Sequence, residues 1–459
     1  MLKRIALWLR DTLIRGKSLN ATRIVAVSFG ILILVGALLL TLPAASQDGR
    51  SAGFFTALFT ATSSTCVTGL IMVDTAVQWS LFGQAVILCL IQLGGLGFMT
   101  MITLVSFILR RRIGLSERLI MVSTFNLNDL DGVVRVVRHA LMATFLLEGL
   151  GALLMCIVLV PDFGPEGIWK AVFHAVSSFC NAGFDLLGAR YGAFGSLSAY
   201  NHNPLMLGVT AVLVVAGGLG FFVWEDIWEK RRWKDFSIYT KLVLLITGIL
   251  LLAGFLFFLA EESANPDTLG NMPRWQKALN AAFQSVTLRT AGFDAIGQGG
   301  LTDTSKAMSV IFMLIGGSSG STAGGLKTVT VGVLLLALRA SLTGREQVVV
   351  RGRAIPYRRV LNAMTLTLVV LFLFLAGSMV ISTAEKLPYL DCAFEVASAL
   401  GTAGLTTGLT TLLSPFSQSI LIALMYMGRV GILSFSIAFL TRTRYPAKLK
   451  YPNMDIMIG

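Results

Sequence analysis

Two kinds of glycine-bearing segment in this sequence carry residues whose type and spacing could do chemistry. One is a single run, GGSSGSTAGGLKT, at 316–328. Its glycines, lysine and threonine are those of a phosphate cradle, in which backbone amides and an ammonium hold a nucleotide. The other is a set of four loops, each centred on one glycine. They are Val67, Thr68, Gly69 and Leu70; Asn181, Ala182, Gly183 and Phe184; Thr290, Ala291, Gly292 and Phe293; and Thr402, Ala403, Gly404 and Leu405. A glycine at positive φ lets consecutive carbonyls turn to one side, and rings of carbonyls can replace the hydration shell of a cation. Metal chemistry based on side chains has no such foothold. The five cysteines (66, 89, 156, 180, 392) show no CxxC spacing, and the three histidines have no paired cysteines or HxxxH spacing.

The phosphate reading fails on detail. A phosphate loop needs GxxxxGK[ST] between a strand and a helix. Here Leu326 separates Gly325 from Lys327, and the preceding AMSVIFMLI belongs to an apolar spanning stretch. No acidic metal-holding strand follows, and no cytosolic segment is large enough for a phosphorylated pump domain. A membrane-bound nucleotide-using enzyme is therefore the remote alternative.

The elements around these loops are membrane spans. Hydrophobic residues make up 55% of the 459 and charged residues 13%, about half the roughly 25% of a soluble protein. Uncharged runs long enough to cross a bilayer occupy 24–42, 75–109, 203–224, 242–260, 360–384 and 411–428, and two further spans near 134–160 and 307–338 carry Glu148 and Lys327. Alternating ten-residue segments of the barrel type are absent. The opening MLKRIALWLRDTLIRGKSLNATR lacks a short apolar core with a cleavage site and reads as a retained cytosolic segment.

The net charge of +13 does not indicate nucleic acid, because 27 of the 37 basic residues fall in five zones: 3–23, 110–118 with Arg135 and Arg138, 230–241, 339–359 and 442–450. The intervening segments hold most of the acids. That alternation places both termini and the basic loops in the cytosol.

Between basic zones the chain makes two spans with a shorter amphipathic stretch between them. The four stretches, FTALFTATSSTCVTGL, KAVFHAVSSFCNAGFD, LNAAFQSVTLRTAGFD and DCAFEVASALGTAGLT, align without gaps on Gly69, Gly183, Gly292 and Gly404, at spacings of 114, 109 and 112 residues. An internal repeat this even defines the architecture. The expected fold is an all-α polytopic membrane protein of four tandem span–pore helix–filter loop–span repeats. Its eight transmembrane helices and four re-entrant pore helices are arranged in pseudo-fourfold fashion around one pore. The expected boundaries are a cytosolic segment 1–18, repeats at 19–118, 119–235, 236–350 and 351–445, and a cytosolic tail 446–459. Pore helices aiming their negative C-terminal dipole ends at the axis favour a cation. One glycine per loop, without a full TVGYG, predicts fewer carbonyl rings, one dominant K⁺ site and weaker rejection of Na⁺.

With these motifs in view, the chain resembles the Trk/Ktr/HKT potassium transporters, and within them the membrane subunits of the Ktr branch. The resemblance is carried by TSSTCVTGL, SSFCNAGF, RTAGFD, GTAGLTTGLT, GGSSGSTAGGLKT, MGRVGILSF and the closing LKYPNMDIMIG. A single span before the first filter glycine favours Ktr over Trk. The resemblance implies K⁺ uptake into a bacterium across its plasma membrane, often stimulated by Na⁺, with no cofactor. It implies a homodimer with one pore per subunit, and a cytosolic KtrA-type ring that binds nucleotides and sets the gate. A Na⁺- or H⁺-coupled cation symporter of the same superfamily is the nearer alternative.

The run at 316–328 interrupts the second span of the third repeat, where irregular backbone is tolerated only if it is buried in protein or lines a cavity. Gly316, Gly317, Ser318, Ser319, Gly320, Ser321, Thr322, Ala323, Gly324, Gly325 and Lys327 are thus expected to form an intramembrane gate. Arg429 lies 25 residues after Gly404, as Gly317 does after Gly292. It is expected at the same depth, its guanidinium on the loop's free carbonyls. Lys327 is expected to face water, to snorkel, or to neutralise Glu148 or Asp226. Arg289 is expected to buttress the third filter, Glu395 and Asp391 to attract cations, to sit on a solvated outer face or to partner an Arg, and His174 to be a packed polar residue.

Overall fold

The computed structural model describes residues 21–97 and 133–431. The segments 1–18 and 446–459, the basic zones at 110–118 and 442–450, and the LKYPNMDIMIG motif lie outside them. The described chain repeats one unit four times. Long apolar helices come first: α1 (Ala21–Thr41), α4 (Val133–Phe163), α8 (Ile238–Glu262) and α12 (Tyr357–Glu385). Pore helices of 13 or 14 residues follow: α2 (Phe54–Cys66), α5 (Glu166–Phe179), α9 (Arg274–Thr287) and α13 (Tyr389–Gly401). At 1.5 Å per residue these are about 20 Å long, too short to cross about 30 Å of hydrocarbon.

Each unit closes with an inner helix: α3 (Leu81–Leu96), α6 (Pro204–Leu219), α10 (Asp303–Leu314) and α14 (Pro415–Val430). All four start on a side-chain cap, with Ser80, Asn203, Thr302 and Ser414 accepting from the first-turn amides. Proline at the first helical position of α6 and α14 removes a donor that would otherwise lack a partner.

Every pore helix packs against the first helix of its own unit, those of the first, second and fourth units also against their own inner helix, and each inner helix packs on the pore helix of the next unit. α3 lies on α5, α6 on α9, α10 on α13, and α14 returns to α2. The four units therefore form a closed cycle, and one hydrophobic core runs through all of them. Leucines and phenylalanines left exposed along α1, α4, α8 and α12 form the lipid-facing surface.

Two expectations change. The runs at 75–109 and 203–224 are not continuous helices. α3 starts only at Leu81, after a four-residue helix at Thr75–Gln78, and α3, α6 and α14 all stop after 16 residues at Gly97, Gly220 and Gly431, with φ of +80°, +91° and +90°. At Gly220 the chain turns by 93° into α7 (Phe221–Lys230). Apolarity reports what a segment's transfer into lipid costs, whereas a glycine in left-handed space decides where its helix ends. The all-α expectation also gains a small exception. Past α11 (Thr328–Leu342), Val349–Val350 and Arg353–Ala354 pair as a hairpin whose Arg351 and Gly352 both have positive φ.

Candidate functional site: four glycine loops and the loop beneath them

The same pair of backbone conformations follows each pore helix. The residue two before the central glycine is left-handed: Val67 (φ +56°), Asn181 (+58°), Thr290 (+66°) and Thr402 (+54°). The glycines follow at +99°, +71°, +82° and +82°. Alternating left-handed positions bring successive carbonyls toward one side. Three of the non-glycine residues are β-branched, for which this region costs about 1–2 kcal/mol each. Strain of that kind persists where the surroundings over-determine it, typically at ligand clamps.

Hydrogen bonds do the over-determining. The amides of Thr68, Ala182 and Ala403 close back on the carbonyls of Ser63, Ser177 and Ser398 at 2.8 Å, and Ala291 on Thr287 at 2.9 Å. Hydroxyls from the last turn then hold the loop itself. Ser63 Oγ accepts from Gly69 N and Ser177 Oγ from Phe184 N, both at 3.0 Å, while Thr287 Oγ1 donates to Phe293 O at 2.6 Å. The Asn181 amide sits among the carbonyls of Ser178, Phe179 and Val214 and donates to them. Sequence reasoning passed over these serines and threonines. Their signal is a hydroxyl five or six residues before each glycine.

The four loops meet. A methyl group placed on Gly69 would lie 2.6 Å from Ala182 O; on Gly183, 3.0 Å from Ala291 O; on Gly292, 2.9 Å from Ala403 O; and on Gly404, 2.0 Å from Thr68 O. Each glycine thus abuts the carbonyl preceding the next repeat's glycine, and the fourth closes on the first. The large residues after the glycines, Leu70, Phe184, Phe293 and Leu405, point away into the core and are fully buried. No side-chain charge occupies the ring, and what converges there is backbone oxygen.

Carboxylates hold the chain beyond the ring. Glu395 is completely buried and accepts from Thr406 Oγ1 (2.6 Å), Thr407 N (2.9 Å) and Thr410 Oγ1 (2.5 Å). Asp391 pairs with Lys306 at 2.8 Å. Neither is a free vestibule charge. Asp294 accepts from the amides of Ile296, Gly297 and Gln298, and Asp74 from those of Ala76, Val77 and Phe194. Asp185, in the loop after the second ring glycine, is pushed up to about 6 by burial, with Asp74 adding to the rise and the Leu187 amide opposing it. His174 is buried, its Nε2 3.3 Å from Thr210 Oγ1 and its ring 4.5 Å from that of Phe293.

Directly beneath the ring lies the loop between α10 and α11. It leaves and re-enters through a short bridge, Leu326 N donating to Leu314 O at 3.1 Å. A methyl group on Gly324 would lie 2.1 Å from Thr402 Oγ1, so this loop touches the first residue of the fourth glycine loop. Ser318 N and Thr322 N donate to Gly218 O and Gly217 O at the end of α6, at 2.9 and 3.2 Å. The Arg429 guanidinium donates to Thr322 O on the loop, and to Gly94 O (2.5 Å) and Gly95 O (3.0 Å) at the end of α3. One side chain of the fourth repeat therefore fastens the third repeat's loop to the first repeat's inner helix.

Arg289 donates to Gly316 O at 3.1 Å, so it braces the start of this loop, not the carbonyls of the ring. Lys327 has neither proposed acid. Its Nζ folds back onto Ala323 O at 2.6 Å, while Glu148 accepts from Gln92 and Asp226 pairs with Lys230.

Residues 2–446 match the family described as TrkH, cation transport protein. The chain belongs to the TrkH family. Among curated relatives, this TrkH-family chain is 42% identical to the potassium/sodium uptake protein NtpJ of Enterococcus hirae, over 96% of the chain and 98% of that protein. It is 36% identical to Ktr system potassium uptake protein B of Bacillus subtilis, over 98% and 99%. The potassium transporter TrkH of Vibrio parahaemolyticus superposes with a TM-score of 0.73 over 94% of this chain and 86% of that one, at 19% identity, a likeness of fold. The repeat architecture is that of a family of membrane transporters, not of enzymes.

Proposed function

We propose that the chain takes up K⁺ across the bacterial plasma membrane through the ring of glycine loops, driven by the membrane potential. The observation that carries this reading is the cyclic closure of four loops that share the same left-handed positions, at Gly69, Gly183, Gly292 and Gly404. Val67–Leu70, Asn181–Phe184, Thr290–Phe293 and Thr402–Leu405 are assigned as the filter, with carbonyls as ligands. The names of the relatives, potassium uptake proteins, support K⁺ as the ion. No coupled chemistry is required: about 2.3 kcal/mol per charge per 100 mV gives near 3.5 kcal/mol at about 150 mV, a gradient of a few hundredfold.

The loop at 316–328, with Lys327 and Arg429, is assigned as the gate. Both termini and the basic zones are assigned to the cytosol, where a KtrA-type nucleotide-binding ring would act on a homodimer. The relatives named as parts of a Ktr system support such a partner. The word sodium in the name of the 42% identical relative gives the second reading, Na⁺-coupled or Na⁺-stimulated uptake, its specific support.

Rb⁺ uptake into proteoliposomes under an imposed inside-negative potential, with and without Na⁺, separates these readings. Potential-driven Rb⁺ entry without Na⁺ is expected, and Na⁺ should accelerate it. Strict dependence on a Na⁺ gradient would establish the symport reading instead. No Rb⁺ flux from the folded protein with its regulatory ring would overturn the pore. Deleting 318–324 should raise the flux and weaken dependence on the ring; a folded but inactive deletion would remove the gate assignment.

A further inference from the structure

The 93° turn at Gly220 starts a segment that the pore reading does not use. α7 has ten residues, about 15 Å, and runs across the direction of α6, so it cannot contribute to a span. One face is fastened to the protein: Glu225 meets His139 at 2.9 Å on α4, and Asp226 accepts from Ser237 N at 2.8 Å. The opposite face is open. Trp228 is 74% and Trp233 50% exposed, with Arg231, Arg232 and Lys234 exposed beside them. Indoles interleaved with guanidinium and ammonium groups, on a short helix that crosses the direction of α6 and on the turn that follows it, suit the headgroup layer of a bilayer. The basic residues suit anionic headgroups in particular.

The start of this segment, and the first turn of α8 just beyond it, grip adjacent carbonyls of the loop below the ring. Phe221 N donates to Gly320 O at 3.0 Å, and Tyr239 Oη donates to Ser319 O at 3.1 Å. A shift of the segment relative to α6 must therefore move Gly320 or break the Phe221 bond, and a shift that carries the start of α8 with it moves Ser319 as well.

We propose that residues 221–236 form a bilayer-surface module whose occupant is the anionic headgroup layer, and that its seating there sets the position of the loop at 315–327. The second clause rests on the gate reading above. The full-length protein is reconstituted with brominated phosphatidylglycerol or brominated phosphatidylcholine, and the emission lost on W228F/W233F substitution is measured in each. That emission is expected to be quenched, more strongly by phosphatidylglycerol, and the R231Q/R232Q variant should lose the preference. Unquenched indoles, covered by a second copy or a protein partner, would overturn the proposal, as would equal quenching by both lipids.

Rb⁺ flux is then compared with and without phosphatidylglycerol. A severalfold dependence is expected in the wild type and in the conservative R231K/R232K variant, and its loss in R231Q/R232Q and in the 318–324 deletion. Preferential quenching with lipid-insensitive flux in the wild type would refute the coupling. If instead the deletion left both basal flux and lipid dependence intact, the gate reading would fail while the surface module stood.

Discussion

Replacing Gly404 with serine probes the ring at its tightest point. The new Cβ would lie 2.0 Å from Thr68 O and 3.0 Å from Gly69 Cα, and ordinary contact begins near 3.4 Å, so the Thr68 carbonyl must retreat by about 1.4 Å. The backbone at residue 404 has φ +82°, a left-handed conformation that costs a side chain a further 1–2 kcal/mol or so. A carbonyl displaced that far no longer faces the ion. If a carbonyl–cation contact is worth about as much as a hydrogen bond to a charged group, roughly 1.5–3 kcal/mol, the loss corresponds to a ten- to hundredfold weaker site. The half-saturation concentration for K⁺ or Rb⁺ uptake in proteoliposomes should rise by that factor, with maximal flux less affected. Gly49 supplies the control: its φ is +67° but nothing lies within 4 Å, so G49A carries the backbone strain without the overlap and should leave uptake kinetics unchanged. A folded G404S protein with wild-type half-saturation would refute the assignment of the glycine loops as the ion site.

Three other outcomes are expected. R429A removes the bonds to Thr322, Gly94 and Gly95 and should raise uptake in the absence of any regulatory ring; R429K, whose ammonium lacks the two-sided fork, should lie between the two, and unchanged flux in folded R429A would contradict the clamp. Asp185, with its proton held up to about 6, should lose its charge as pH falls through that value, weakening K⁺ half-saturation. Because the raised value belongs to the folded state, Asp185 makes a stabilising contribution that is present at low pH and lost as pH rises through about 6. Thermal stability and K⁺ affinity should therefore move in opposite directions across that window, and D185N should flatten this component of both; parallel changes would rule out Asp185 as their cause. E395Q turns an acceptor-only carboxylate into an amide facing Thr407 N and three threonine hydroxyls, and should weaken K⁺ affinity while the protein remains folded; wild-type kinetics in E395Q would show that this network does not position the fourth loop.

The repeat was legible because its markers are covalent facts of the sequence: a glycine every 110 residues or so, each after an amphipathic stretch too short to span. The closure of the four loops is compatible with that periodicity but not dictated by it, since head-to-tail units form a ring only when their rotation closes, as it does here between Gly404 and Thr68. What could not be read were the partners of isolated polar residues. Arg289 stands three residues before a filter glycine, yet its guanidinium reaches Gly316, 27 residues on, because the end of α10 folds back beneath its own pore helix. Glu395 has the spacing of a vestibule acid, but three threonines in TTGLTT wrap it completely. Lys327 invites a search for an acid in the membrane, and carbonyls freed by a broken helix satisfy it instead. Glycine in the inner helices held the remaining information. The motifs at 93–97 and 217–220 are apolar enough to be counted as span, and only the geometry separates their two uses. Gly94 and Gly217 let the inner helix press against Thr65 O and Phe179 O at the pore-helix ends, whereas Gly97 and Gly220 stop it. Three inner helices stop on a single residue and the third repeat stops on a thirteen-residue loop. The asymmetry on which the proposed gate rests is thus a longer form of the irregular backbone that ends the inner helix in every repeat.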